Sequence, residues 1–431
     1  MENSFIIRQD IASSINAGQF RFFAKNNQIQ HQGNKNNLLR NITLSVNEGQ
    51  VNEEVVREFF REQLWYGKNK HNFYIELDSE SLETFKYKES IDEYLTSRGL
   101  GQFNNIDTIH FPESITLSRF EYEVDQFDSS TISKIYVGFI EKNYIQKLGN
   151  GTAMFTPVNT YVCCEIDLVT NTLLLRIRSR SQLKNNQNVE DKAISVNSIA
   201  KQYMDLISSD FGLLYLDSGS EEIKNKMYKI EKELTNFIEL QILPKVLEHI
   251  NLISDFTKEI ANKLELKSNQ DPINLVERIV GLLERGLIVQ NEGVVERYFE
   301  GKLGYVSKFD FRDDRGGRIQ ARTEQRRKPI QTSDIFFDTK ETINEVQLLD
   351  SIWIIWFKEL DTAIDEPLLE AEYSVEDNEV EIVEDTIEDQ KKVARIDTRI
   401  NAFKGFYKIE FKRYLLKEEY NHVLSLINSF T

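Results

Sequence analysis

Apolar residues recur at intervals of three and four through the middle of the chain and at intervals of two toward its ends, so both helices and strands are expected. In 51–66, Val55, Val56, Phe59, Phe60 and Leu64 have helical spacing, and Asn52 is placed to cap free amides. Residues 90–98 form a second short helix stopped by Gly99. Residues 19–32 fit a hairpin around Asn26-Asn27, a pair that tolerates the positive φ of tight turns. A clearer hairpin spans 161–181. With Thr170-Asn171 as its turn, Leu168 faces Leu173, Ile166 faces Leu175 and Cys164 faces Ile177, which gathers one apolar face. Arg176, Arg178 and Arg180 then project from the other face, with Glu165 across from Arg176.

From 196 to 266 the pattern is helical, and Ile223, Met227, Ile230, Leu234, Phe237 and Leu240 make one stripe that Pro244 interrupts. Asp271-Pro272 starts another helix reaching 285, followed after Gly286 by a short apolar piece and a second helix over 294–299. Strands are expected at 304–312 and 318–323. If 313–317 is a five-residue loop, Phe311 faces Ile319 and Phe309 faces Ala321, while Lys308 pairs with Arg322 and Arg312 with Arg318 on the opposite face. Asp338 and Glu341 resemble a capping box for an aromatic-rich helix holding Trp353 and Trp356, both expected in a core. Residues 373–382 fit a hairpin with one acidic face, 406–412 a strand and 414–428 a closing helix. The sum is an α+β protein in three blocks: a strand-rich N-terminal domain (1–190), a central helical module with a winged-helix-like hairpin (191–330), and a C-terminal α+β domain with the acidic hairpin (331–431).

Charge changes this picture because it is unevenly placed. The chain carries a formal −17, yet 302–329 holds nine Lys or Arg against four acids, and 359–390 holds fourteen acids and no base. Most of the net acidity is therefore one local feature. With 40% hydrophobic and 29% charged residues the chain has the composition of a folded protein. Its longest apolar runs, such as 352–357, fall far short of the roughly 20 residues of a membrane span, and residues 1–10 do not read as a secretory signal, so a cytoplasmic location and no membrane partner are expected. Cys163 and Cys164 are adjacent on a strand and point to opposite faces, which disfavours a mutual disulfide. The five histidines are scattered, so no zinc site is expected. Richness in Lys, Asn and Ile fits a chain encoded by AT-rich DNA, of a bacterium or a mobile element.

The candidate chemistry is anion binding. Lys308, Arg312, Arg318 and Arg322 share one hairpin face, Arg315 stands at the Gly-Gly tip, and Arg326 and Arg327 follow. Like charges opposed across a ladder are unfavourable unless an anion or nearby carboxylates compensate, which suggests phosphate contact. The order helix, helix, strand, glycine loop, strand over 272–323 resembles the later part of a winged-helix domain, whose hairpin tip touches the DNA backbone. Glu292, Glu296 and Glu300 against Arg297 alone disfavour a groove-reading helix and leave a wing-led contact or a protein contact. Arg176, Arg178 and Arg180 form a second candidate stripe.

For catalysis, Asp397 followed by Glu410-Phe411-Lys412 resembles the D, then E-x-K, pattern of the PD-(D/E)XK nuclease superfamily. That resemblance implies Mg²⁺ held by the two carboxylates and an attacking water positioned by Lys412. Nucleotide-binding and serine-hydrolase motifs are missing from the sequence, and no other cofactor is expected. The expected function is a non-catalytic nucleic-acid-binding or regulatory subunit of a bacterial cytoplasmic complex, in anti-phage defence or genome maintenance, with protein partners. In it the acidic segment competes for the basic surface. A Mg²⁺-dependent nuclease and a protein–protein scaffold are the alternatives; oligomeric state is not legible.

Overall fold

The computed structural model describes residues 4–149, 152–266, 275–290, 303–312, 316–323, 328–359 and 393–430. They form an α+β fold of helices and a large antiparallel sheet. Its strands are β1 (His71–Glu76), β2 (Phe103–Asn104), β3 (Thr116–Val124), β4 (Ile132–Gly149), β5 (Thr152–Asp167), β6 (Thr172–Ile177), β7 (Leu183–Lys184), β8 (Gly304–Arg312), β9 (Arg318–Arg322), β10 (Ser351–Glu359), β11 (Val393–Phe403) and β12 (Phe406–Phe411). Two units divide the chain: one gathers Met1–Asp217 and Lys408–Asn421, the other Ser218–Lys358, Arg395–Tyr407 and His422–Thr431. Each is assembled from segments distant in sequence, where the hydrophobic pattern suggested consecutive blocks. Among the described residues no helix is long and apolar enough to cross a membrane.

In the first unit the strand order is β2-β3-β4-β5-β6-β1, with β7 on β4. Helix Glu53–Trp65 forms as its spacing predicts, and the Asn52 side chain accepts the Glu54 amide to cap it. Helix Lys88–Ser97 ends before Gly99, which takes φ +68°. The hairpin expected at 19–32 is replaced by a helix, Ala17–Asn26. Phe20, Phe23 and Ala24 are all buried there, a spacing of three and four that only a helix places on one face. The β5–β6 hairpin forms two residues out of the expected register. Ile166 opposes Leu173, Cys164 opposes Leu175 and Val162 opposes Ile177. The longer loop is held by Asp167, whose carboxylate accepts the Val169 and Thr170 amides, with Asn171 at φ +52°. A slip of two keeps every side chain on its face, so the apolar side survives the change. Both cysteines are free and buried.

In the second unit the order is β11-β10-β8-β9. The stripe Ile223, Met227, Ile230 and Leu234 is buried on helix Ser220–Leu247, and Pro244 falls within its last turn rather than breaking it midway. The helix at 275–290 continues through Gly286. The second helix expected at 294–299 and the acidic hairpin at 373–382 lie outside the described residues. Residues 351–359 are a strand, not the tail of the aromatic helix, which ends at Val346. Trp356 is fully buried and donates its indole N–H to Thr398 Oγ1 at 2.8 Å, whereas Trp353 is half-exposed. The run of β-branched and aromatic residues in 351–357 favours the strand over the helix.

Gly304 pairs with Trp356 across β8 and β10. A Cβ there would stand 2.5 Å from the Ile355 carbonyl oxygen and 3.0 Å from Trp356 Cα, so backbone must move to admit it. Gly304→Ala is expected to lower stability by about 1–3 kcal/mol, through strain of the kind that overpacking causes. Thermal melting tests this, and an unchanged Tm would show that the strands part freely at this point.

Candidate nucleic-acid interface

The β8–β9 hairpin has the register that its sequence predicts: Lys308 opposes Arg322, Phe309 opposes Ala321, Phe311 opposes Ile319 and Arg312 opposes Arg318. Phe309, Phe311 and Ala321 are buried on one side. The other side does not present four equivalent cations. Asp310 lies between Lys308 and Arg312 on the same face, and Arg318 Nε donates to its Oδ1 at 2.9 Å with Gln320 as a second donor. Burial pushes the Asp310 carboxyl up, but the Arg318 bond and charge override it and hold it below its ordinary value. Arg312 Nε stands 3.6 Å from Asp350, which Lys224 also reaches at 2.7 Å. Two of the four expected bases are thus engaged with carboxylates. Arg315, Arg326 and Arg327 lie outside the described residues.

Lys308 and Arg322 remain without an ion pair among the described residues, and the tertiary structure extends their row. Trp353 of β10 opposes Lys308, and Arg399 of β11 also reaches this ring. Lys308 Nζ is 4.1 Å and Arg399 Cζ 4.7 Å from the Trp353 ring centroid, so the indole holds two cations through its π face. Arg399, Trp353, Lys308 and Arg322 follow one another over four strands, roughly 14 Å at the usual strand spacing. Burial lowers the Lys308 pKa, and Arg399, Arg322 and Arg318 lower it further against the opposing pull of Asp310. An anion brought to this row would relieve that repulsion.

Arg399 is the residue the sequence pattern left unnoticed. Arg395, Asp397, Arg399 and Asn401 alternate with the more buried Ile396, Thr398 and Ile400 in β11, a period-two signal ahead of the strand expected at 406–412. Asp397 therefore falls on the polar side of β11, in the second unit, between two arginines in its own strand. Glu410 and Lys412 belong to the first unit, where Lys412 Nζ pairs with Glu410 Oε1 at 2.6 Å. Burial raises the Glu410 pKa but the Lys412 bond brings it below its ordinary value. Among the described residues no group of three or more His, Cys, Asp or Glu is arranged to hold a metal ion.

The Arg176 stripe needs correction. Arg176 is fully enclosed: both sides of β6 are buried, and Tyr66 and Tyr420 wall its guanidinium at 5.0 and 5.7 Å. Its Nη2 donates to Glu165 Oε2 at 2.7 Å, and Lys134 Nζ reaches the other oxygen at 2.8 Å. The pair is diagonal, since the shifted register sets Cys163 opposite Arg176. This arginine is structural, while Arg178 and Arg180 stay half-exposed past the end of the strand. No family model and no curated protein matches the chain.

Proposed function

We propose that the protein is a non-catalytic nucleic-acid-binding or regulatory subunit that contacts a single strand through the open face of β11-β10-β8-β9. The observation that carries this reading is the cross-strand row of Arg399, Trp353, Lys308 and Arg322, in which two cations flank a half-exposed indole and a third lies across from Lys308. Cations that meet phosphates beside an aromatic ring are what sequence-tolerant single-strand binding requires. A winged-helix use of the hairpin is the weaker form of the proposal, because β10 flanks β8 and makes the hairpin the margin of a wider sheet. Contact then rests on the sheet face rather than on a protruding tip.

Titration with a fluorescent single-stranded oligonucleotide at two or more salt concentrations tests the reading. Binding that weakens steeply with salt supports it. Self-association with no affinity for polyanions would favour a scaffold instead. The fourteen acids of 359–390 are a strong local source of opposing potential. Deleting 361–390 is expected to tighten binding about tenfold at low salt and much less at high salt, as screening shortens the reach of those charges. Equal affinity of the two forms at low salt would remove the competition model.

A further inference from the structure

Beyond the sheet-face site, the first unit holds two half-exposed arginines, Arg178 and Arg180, with no carboxylate bonded to them among the described residues, while several of its other arginines are each held by an acid. Arg57 and Arg61 both bond Asp107, Arg119 bonds Glu121, Arg176 bonds Glu165 and Arg413 bonds Glu419. Arg178 makes one hydrogen bond, from Nη1 to Ser14 Oγ at 2.9 Å, and Arg180 makes none among the described residues. The Ser14 hydroxyl is already committed as a donor to the Asp10 carbonyl, so it faces Arg178 only as an acceptor. Asp10, an acid whose charge acts on Arg180, is spent on Arg8 at 2.9 Å and on the Asn159 amide at 2.9 Å.

We propose that Arg178 and Arg180 form a phosphate-binding fork in the first unit, with Ser14 fixing the Arg178 guanidinium. Two adjacent guanidinium groups, partly removed from water and without a carboxylate, are costly alone and become favourable once a dianion accepts their N–H donors. Burial, and then the Arg180 charge, push Arg178 down to about 10, and burial lowers Arg180, which agrees with a missing counter-ion. Arginine suits this task because its planar donors meet two phosphate oxygens together. The ligand chemistry is a phosphate dianion, supplied either free or as the terminal phosphate of a nucleic acid.

Calorimetric titration of the full chain with inorganic phosphate, at ionic strength matched with chloride, tests the fork. A 5′-phosphorylated oligonucleotide run beside its 5′-hydroxyl twin separates the two sources. Phosphate, or the 5′-phosphate form over its twin, is expected to bind wild type and to lose about tenfold or more for each guanidinium removed in Arg178→Gln and Arg180→Gln. Without anion, the double variant is expected to melt no lower than wild type, because it relieves like-charge repulsion; a structural pair would melt lower. If the glutamine variants fail to fold, Arg178→Lys/Arg180→Lys keeps the charge, loses the fork and is expected to weaken binding by a smaller factor. Wild type that binds neither ligand, or variants that bind as well as wild type, would overturn the site. Variants at Lys308 and Arg322 leave this fork intact, so its failure and failure of the sheet-face site are read separately.

Discussion

Glu165→Gln is expected to lower unfolding stability by about 3–5 kcal/mol, the usual result of removing one partner of a buried ion pair. The Arg176 side chain it leaves behind is fully enclosed, and its Nε and Nη1 already lack hydrogen-bond partners among the described residues. The substitution keeps the shape and removes only the charge, so packing cannot explain the loss. Urea denaturation measures it. A second variant, Glu165→Gln with Arg176→Met, is expected to recover much of the stability, since no charge is then buried alone. A loss below about 1 kcal/mol in the single variant would show that water reaches Arg176.

The same pair sets an acid limit. Burial alone would push the Glu165 carboxyl up; the Arg176 and Lys134 charges override it and hold it at about 2, below its ordinary 4.5. The folded value lies under the unfolded one, so the folded state binds fewer protons between them. Its stabilising contribution is therefore complete above the ordinary value and is lost as pH falls from 4.5 toward 2. Glu165→Gln is expected to flatten the stability curve in that window while being less stable at neutral pH.

Removing the three cations of this row together, as Lys308→Ala, Arg322→Ala and Arg399→Ala, is expected to reduce single-strand affinity about a hundredfold at low salt. It should also shrink the slope of log affinity against log salt by about 2, since each phosphate contact on a single strand contributes roughly 0.7. Trp353→Ala is expected to cost about 1–3 kcal/mol of binding if a base stacks on the indole, with little change in salt slope. That difference separates ring from charge. Arg318→Ala provides the contrast, because Asp310 already holds that guanidinium: it should bind no more weakly than Lys308→Ala despite being the more exposed residue. Equal salt slopes for the triple variant and wild type would place any binding elsewhere.

The β8–β9 register was legible because alternation there is strict and Phe309, Phe311, Ile319 and Ala321 can share only one face. Helix Glu53–Trp65 was legible for a similar reason, through its spacing and Asn52 cap. The β5–β6 register was not, since apolar residues at even spacing fit two pairings that differ by two, and the Asp167 loop chose between them. Trp353 and Trp356, three apart, suited a helix stripe as well as a strand with a register shift, which the structure places between Trp353 and Ile354.

Alternation and charge by themselves thus determined the β8–β9 hairpin with its two faces and the concentration of bases around 302–329. Only the tertiary structure decided which charges remain open. It buried Arg176 against Glu165, gave Arg318 to Asp310, and brought Arg399 from β11 and Trp353 from β10 beside Lys308. The reason is physical: periodicity along a strand reports the face a side chain occupies. Whether that face meets water, a helix or a carboxylate depends on strands joined from distant parts of the chain.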